Sequence, residues 1–122
     1  MQVLLGVGGT PLSYRALDET IERAREAGDD LTVAVFASDA AEAARDEVEQ
    51  RVRETLAETD VPSTVRHVEG DPGSDLVTIA NQESFDRIVL GSGERSPLGK
   101  IQLGSVAEFV LLNAQTSVTL VR

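Results

Sequence analysis

The sequence lacks cysteine and has very few histidine and aromatic residues, which excludes several kinds of site. Without cysteine the chain forms neither disulfides nor thiolate-bound zinc or iron–sulfur centres. A single histidine, His67, leaves too little for a histidine metal site or a Ser–His–Asp triad. Aromatic residues make up 3% of the 122 residues, so the chain lacks the stacking surface on which proteins bind single-stranded nucleic acid.

Long apolar runs are also missing. No run approaches the roughly 18 residues that a membrane-spanning helix requires, and residues 1–5 have no basic region of the kind that opens a signal peptide. Hydrophobic residues make up 41% of the chain, enough to bury a core, and the length predicts one domain over residues 1–122. We therefore expect a cytoplasmic protein.

Basic residues are scarce, and lysine is nearly absent. The chain has 21 acidic and 11 basic residues, a net charge of −10, and Lys100 is its one lysine. Such a surface repels nucleic-acid phosphates and anionic lipids, so we expect neither nucleic acid nor a membrane as a partner. Many acidic residues with one lysine also favour a salt-adapted, halophilic source, since molar salt shortens the Debye length to about 3 Å and screens the self-repulsion.

Short apolar runs alternate with segments of helical spacing along the whole chain. A helix between each pair of strands predicts an α/β fold with a parallel sheet and helices on both faces. Ligands of such sheets bind beyond the carboxyl ends of the strands. Strands are expected at residues 3–7, 31–36, 64–68, 87–90 and 118–121, the more polar third strand at an edge of the sheet.

Capping residues and apolar spacing place the helices. Thr10 followed by Pro11 is typical of a helix start. Ser38 and Asp39 are expected to cap the second helix. Apolar residues three and four apart, from Leu103 to Ala114, predict the clearest amphipathic helix of the chain.

Three familiar phosphate-binding patterns fail on spacing. Gly6 and Gly8 begin a dinucleotide fingerprint, but Pro11 stands where its third glycine is required. Gly93 and Gly99 are one residue too far apart for a P-loop. A phospho-receiver domain, which has the same order of strands and helices, requires acidic residues at the end of the first strand, where this chain has glycine.

One glycine-bearing loop remains as a candidate anion site. It runs from Gly91 to Ser105, after a strand and before the last helix. Glycines let backbone N–H groups approach an anion, Ser105 adds a hydroxyl donor, and the helix N-terminus adds partial positive charge. Arg95 and Lys100 lie in the same loop. From these residues alone, a glycine-rich turn without a ligand remains an equal alternative.

The spacing within this loop carries a specific resemblance. Gly91 and the later pair Gly104-Ser105 stand at the positions of the first glycine and the Gly-Ser of the universal stress protein motif. The chain resembles that family over its whole length. Further matching segments are residues 7–11 with 16–17, 69–72, 85–91, and 104–108 with 118–121.

This resemblance implies a Rossmann-like, five-stranded sheet of the adenine nucleotide alpha hydrolase type, in the strand order 3-2-1-4-5. It also implies ATP with Mg²⁺ as the cofactor. The residues that match nucleotide-binding positions are Val7, Gly8, Phe36 and Leu90 around the base and ribose, Gly91, Gly93, Gly104, Ser105 and Val106 around the phosphates, and Arg95 and Lys100 as charge partners.

Two positions depart from the ATP-binding members of the family. Gly8 stands where they have an aspartate that contacts the nucleoside, which removes a charged hydrogen bond of about 1.5–3 kcal/mol. Glu94 stands at their second glycine and would cost about 1–2 kcal/mol if that position needs a left-handed backbone. Gly93 lies one position early and partly substitutes. We therefore expect weakened ATP binding.

The function expected from the sequence is a stress-response regulator rather than a proficient enzyme. No residue is a convincing general base, so any ATP hydrolysis is expected to be slow, and no catalytic or metal-binding residues are predicted. The alternative is a nucleotide-free, dimeric interaction or chaperone-like module of the same family. An enzyme of the nucleotide-α-hydrolase type has only the fold in its favour.

A homodimer is expected through the last strand, Val118 to Val121. In the implied order this strand lies at a sheet edge, and an exposed edge must be covered or paired. The strand carries no lysine, proline or acidic residue that would discourage pairing with a second copy.

We predict that the melting temperature rises steadily from tenths molar to molar salt, because a net charge of −10 is self-repulsive in dilute buffer. Scanning calorimetry in sodium chloride and in potassium chloride measures the effect. A melting temperature that does not change with salt would remove the argument for salt adaptation but leave the family resemblance intact.

Overall fold

A computed structural model describes residues 1–37, 44–95 and 98–122 of the chain. The strands β1, β2, β3, β4 and β7 form one parallel sheet in the order β3-β2-β1-β4-β7. This confirms the expected strand order, with β7 as the fifth strand of the sheet, and the expected edge position of β3. The elements are β1 (Gln2–Val7), α1 (Pro11–Ala27), β2 (Asp30–Val35), α2 (Arg45–Ala57), β3 (Ser63–His67), α3 (Pro72–Gln82), β4 (Arg87–Gly91), β5 (Glu94–Arg95), β6 (Ile101–Gln102), α4 (Ser105–Asn113) and β7 (Ser117–Val121).

Two short strands inside the glycine-bearing loop were not expected from the sequence. In the antiparallel pair of β5 and β6, Glu94 lies opposite Gln102. This hairpin folds the loop back on itself, so the chain returns to the end of β4. There the N–H of Gly104 donates to the hydroxyl oxygen of Ser92 at 3.0 Å. The start of α4 is thereby held beside the end of β4.

Alternation along the strands divides the core into two layers. Val3, Leu5 and Val7 of β1 pack with α1 and α2. Leu4, between them, packs with α3 and α4. These four side chains are at most 2% exposed, and each such burial stabilises the fold by about 1.5–3 kcal/mol. Helices therefore cover both faces of the sheet, as the alternating order of elements predicts.

Only part of the helix capping follows the sequence prediction. At the start of α1 the Thr10 side chain accepts the N–H of Ser13 at 3.2 Å, and a proline occupies the first turn, as expected. The expected caps of the second helix, Ser38 and Asp39, lie outside the described residues. The described helix α2 begins after Ala44, which offers no side-chain cap.

An ion-pair cluster joins the edge strand β3 to α2. One Glu49 carboxylate oxygen accepts from Arg53 Nε at 2.8 Å, and the other contacts His67 Nε2. The hydrogen bond from Arg53 lowers the pKa of the Glu49 carboxyl, partial burial opposes it, and His67 lowers the pKa further. The one histidine of the chain therefore contacts a carboxylate at the surface of the sheet edge.

The last helix departs from the prediction. Ala107 and Val110 of α4 are buried, but the predicted repeat also includes side chains that lie at the surface. Apolar residues occupy nearly every side of α4 and only one stripe meets the core, so the prediction of a clearly amphipathic helix is wrong. The exposed apolar side chains on and just before α4 are Leu103 (36%), Phe109 (39%), Leu111 (41%) and Leu112 (76%). Neither α4 nor any other helix in the described part of the chain is long and apolar enough to cross a membrane.

Candidate functional site

A cavity of about 800 Å³ opens at the carboxyl edge of the sheet. Its walls are residues at and just after the ends of β1, β2 and β4, together with the first turns of α1, α3 and α4. The chain reverses its winding direction between β1 and β4, and ligands of open α/β sheets bind at this point. The volume lies in the range of small-molecule sites.

Most of the residues expected around a nucleotide lie in the cavity wall. Val7 does not, because its side chain is fully buried between the sheet and the helices α1 and α2. Lys100 lies in the exposed turn before β6, outside the lining. Arg95 belongs to β5, and its side chain is outside the described part of the structure. The expected residues that line the cavity are Gly8, Phe36, Leu90, Gly91, Gly93, Gly104, Ser105 and Val106.

An apolar wall forms at one side of the cavity. Gly6 makes it possible, because a Cβ there would lie 2.8 Å from Leu90 Cδ2 and 3.3 Å from Phe36 Cε1. Without that Cβ the two side chains come together over β1, and only 3% of Leu90 and 5% of Phe36 stay exposed. Such a wall suits a flat apolar group rather than a charged one.

Gly91 is required by packing at the end of β4. A Cβ at this position would lie 2.1 Å from the carbonyl oxygen of Leu12 and 2.7 Å from the backbone nitrogen of Ser13. Both atoms belong to the first turn of α1, so the strand end and the helix backbone touch directly. The first glycine of the motif is therefore explained by the fold itself.

The N-terminus of α4 is the polar side of the cavity. Thr10 caps α1 and Asp71 caps α3 with side-chain oxygens, and each of those helices has proline in its first turn. The N-cap of α4 is Gly104, which has no side chain, so within the described residues no cap side chain accepts from the first N–H groups of this helix. Ser105 and Val106 at these positions line the cavity, where unpaired N–H groups and the helix dipole attract anions.

The left-handed backbone in the loop falls on glycine, not on Glu94. Gly93 has φ +97° and Gly99 has φ +81°, whereas Glu94 lies in β5 and is not among the residues with positive φ. The cost considered for a left-handed Glu94 therefore does not arise. Gly93, one residue earlier, adopts the left-handed backbone conformation instead.

The cavity wall has almost no side-chain charge. Among the described residues that line it there is no lysine or arginine, and Asp71 is the one carboxylate. An oxygen of Asp71 already accepts the N–H of Ser74 at 3.0 Å. Nowhere in the described residues do three acidic or histidine side chains group to hold a metal ion.

Several polar lining residues were missed by the sequence reasoning. Ser92, 9% exposed, accepts the N–H of Gly104 and lines the cavity. The cavity is also lined by Thr10, Ser13 and Gln102. Ser92 lies between Gly91 and Gly93, and this position in the sequence could have indicated that it belongs to the site. The start of α1 brings Thr10 and Ser13 to the site, and the β5–β6 hairpin brings Gln102. The spacing of the glycines indicates neither.

The chain belongs to the universal stress protein family, whose model matches residues 1–122. It is 30% identical to a universal stress protein of Mycolicibacterium smegmatis, an alignment that covers 98% of this chain and 96% of the relative. A universal stress protein structure from Archaeoglobus fulgidus superposes with a TM-score of 0.81 at 25% identity, covering 100% and 98% of the two chains. Another from the same organism, in complex with dAMP, has a TM-score of 0.74 at 21% identity, covering 100% and 98%.

We predict that Gly91→Ala destabilises the fold by about 3 kcal/mol, because the new Cβ has no room beside the Leu12 carbonyl. Gly104→Ala is the matched control, since a Cβ there would meet only Ser92 Oγ, at 3.8 Å, among the described residues. Urea titrations followed by circular dichroism in molar salt measure both. Equal unfolding midpoints for the two variants would contradict the packing role of Gly91.

Proposed function

We propose that this universal stress protein binds an adenine nucleotide at the carboxyl edge of its sheet and acts as a cytoplasmic stress-response regulator. The observation that carries the proposal is the N-terminus of α4, which has no side-chain cap and opens on a cavity of about 800 Å³. In this arrangement the phosphates lie at Gly104, Ser105 and Val106. The base lies against the apolar wall of Phe36 and Leu90.

The composition of the wall suggests which part of the nucleotide is recognised. Gly8 has no carboxylate that could accept a hydrogen bond from a ribose hydroxyl. The site therefore has little with which to distinguish ribose from deoxyribose, in keeping with the dAMP bound to the Archaeoglobus fulgidus relative. Asp71 is engaged at the start of α3, so we expect at most slow hydrolysis of ATP.

We predict that AMP and dAMP bind with affinities within about twofold of each other, because Gly8 offers the ribose no carboxylate, and that ATP binds with or without Mg²⁺. Gly104→Val should lower each affinity by about 100-fold, since its side chain covers the N–H groups that face the phosphates. Titration calorimetry in molar salt measures this, with an unchanged melting temperature of the variant as control. No heat and no stabilisation at millimolar nucleotide would favour the nucleotide-free module instead.

We also propose that two copies pair along β7, the free edge of the sheet next to β4. Two observations support a second copy as the partner. Residues 98–122 carry a net charge of +1 in a chain of net charge −10. Two copies can therefore approach each other through this part of the molecule without repulsion between acidic side chains. The exposed apolar side chains of α4, including Leu112, lie in the same part of the chain.

The hydrogen bonds of β7 determine which substitution tests the pairing. The carbonyl oxygen of Val121 accepts the N–H of Ser92 at 3.0 Å, so the polar groups of Val121 point towards β4. By alternation those of Thr119 also point inward, and those of Leu120 point to the open edge. Proline at residue 119 would break the sheet of one copy, whereas proline at residue 120 removes a donor from the open edge only.

We predict that the protein is a dimer at tens of micromolar and that Leu120→Pro makes it a monomer. Leu120→Ala is the control, because it loses the same side-chain packing but keeps the outward N–H group. Light scattering after size exclusion measures both. A dimer that survives Leu120→Pro places the interface elsewhere, and a monomeric wild type contradicts the pairing altogether.

A further inference from the structure

The described wall of this cavity does not supply the positive charge that would balance a nucleotide phosphate. The described lining residues include no lysine or arginine, and the protein as a whole carries a net charge of −10. Backbone N–H groups and a helix dipole supply partial charges, equivalent to about half a unit at a helix N-terminus. Since an AMP phosphate is close to a dianion at neutral pH, a cation beside the cavity would raise its affinity.

Arg122 lies at the carboxyl end of β7, which is the same edge of the sheet as the cavity, and it is the candidate source of that cation. It directly follows β7, and the Val121 carbonyl before it accepts the Ser92 N–H at 3.0 Å, which ties the strand end to the glycine-bearing loop. The stem of Arg122 passes over Gly93. Both its Cγ and its Cδ lie 2.9 Å from the place where a Cβ of Gly93 would be.

The side chain of Arg122 lies on the same face of the sheet as α4. Along β7, Leu120 packs in the layer with α3 and α4 and Val121 in the layer with α1 and α2. Alternation then puts Arg122 on the α4 face. The N-terminus of α4, with its N–H groups at Ser105 and Val106, begins at the carboxyl edge of this same face.

Arg122 is also available for a ligand. It is exposed, and its guanidinium forms no ion pair or hydrogen bond within the part of the chain that the structure describes. Gly93, which lines the cavity and has φ +97°, has no side chain to separate the arginine stem from the loop. The stem of Arg122 therefore lies against a residue of the cavity wall, while Arg122 itself is not among the described lining residues.

We propose that Arg122 is the phosphate-binding cation of this site, a role that rests on the nucleotide binding proposed above. Its planar guanidinium donates to phosphate oxygens opposite the N–H groups of α4, so that the phosphate is held from two sides. Arg122 therefore sets how strongly the site prefers a phosphorylated nucleoside to the nucleoside itself. It has no part in binding the base.

The test compares adenosine with AMP on three variants. Arg122→Gln removes the charge, Arg122→Lys keeps it without the planar fork, and Arg25→Gln removes one positive charge near the far end of α1, roughly 20 Å along the helix from the cavity. We expect Arg122→Gln to weaken AMP binding about tenfold in tenths molar salt and to leave adenosine binding unchanged. Arg122→Lys should lie in between, Arg25→Gln should match the wild type, and the tenfold loss should shrink in molar salt.

The outcomes separate this role from the nucleotide site itself. A wild type that binds neither adenosine nor AMP overturns the proposed function and Arg122 with it. Equal AMP affinity of wild type and Arg122→Gln overturns the role of Arg122 alone. An equal loss of adenosine and AMP binding also overturns it, because Arg122 would then support the fold of the loop. Melting temperature and light scattering of each variant exclude a change in folding or oligomeric state as the cause.

Discussion

The carboxyl edge of this sheet depends on one close contact, that of the Gly91 backbone with the backbone of Leu12. No side chain fits between the end of β4 and the first turn of α1. This contact sets α1 directly beside the strand, so that Thr10 and Ser13 face the same cavity as the loop after β4. The fold requires a glycine here whatever the cavity binds, and the cavity takes its shape from that requirement.

The parts of the molecule that local sequence determines could be predicted. The apolar runs predicted the five strands, because a parallel sheet is buried on both faces, and Thr10 with Pro11 predicted the start of α1, because capping is a matter of a few neighbouring residues. The β5–β6 hairpin could not be predicted in this way, since strands of two residues have no period. The exposure of Leu112 depends on which elements cover α4, and spacing along one helix does not contain that information.

The site was predicted less completely than the fold for a similar reason. Glycine spacing located the loop, but the polar groups around it come from separate elements. Ser92 matters because the chain returns to it at Gly104, after the hairpin has closed. From the sequence, Glu94 carried a cost only if its position needed a left-handed backbone, whereas the positive φ falls on Gly93, the second residue after β4.

The parallel sheet has a consequence for how this cavity responds to pH and to substitutions. Because the strands of the sheet are parallel, α1, α3 and α4 all begin at the carboxyl edge, and their first turns line one cavity. Peptide groups do not titrate in the physiological range, and no substitution other than proline removes an N–H. An anion-attracting edge made of main chain is therefore insensitive to pH and tolerant of sequence drift. Side chains in its wall are free to change which molecule it accepts while these N–H groups stay in place.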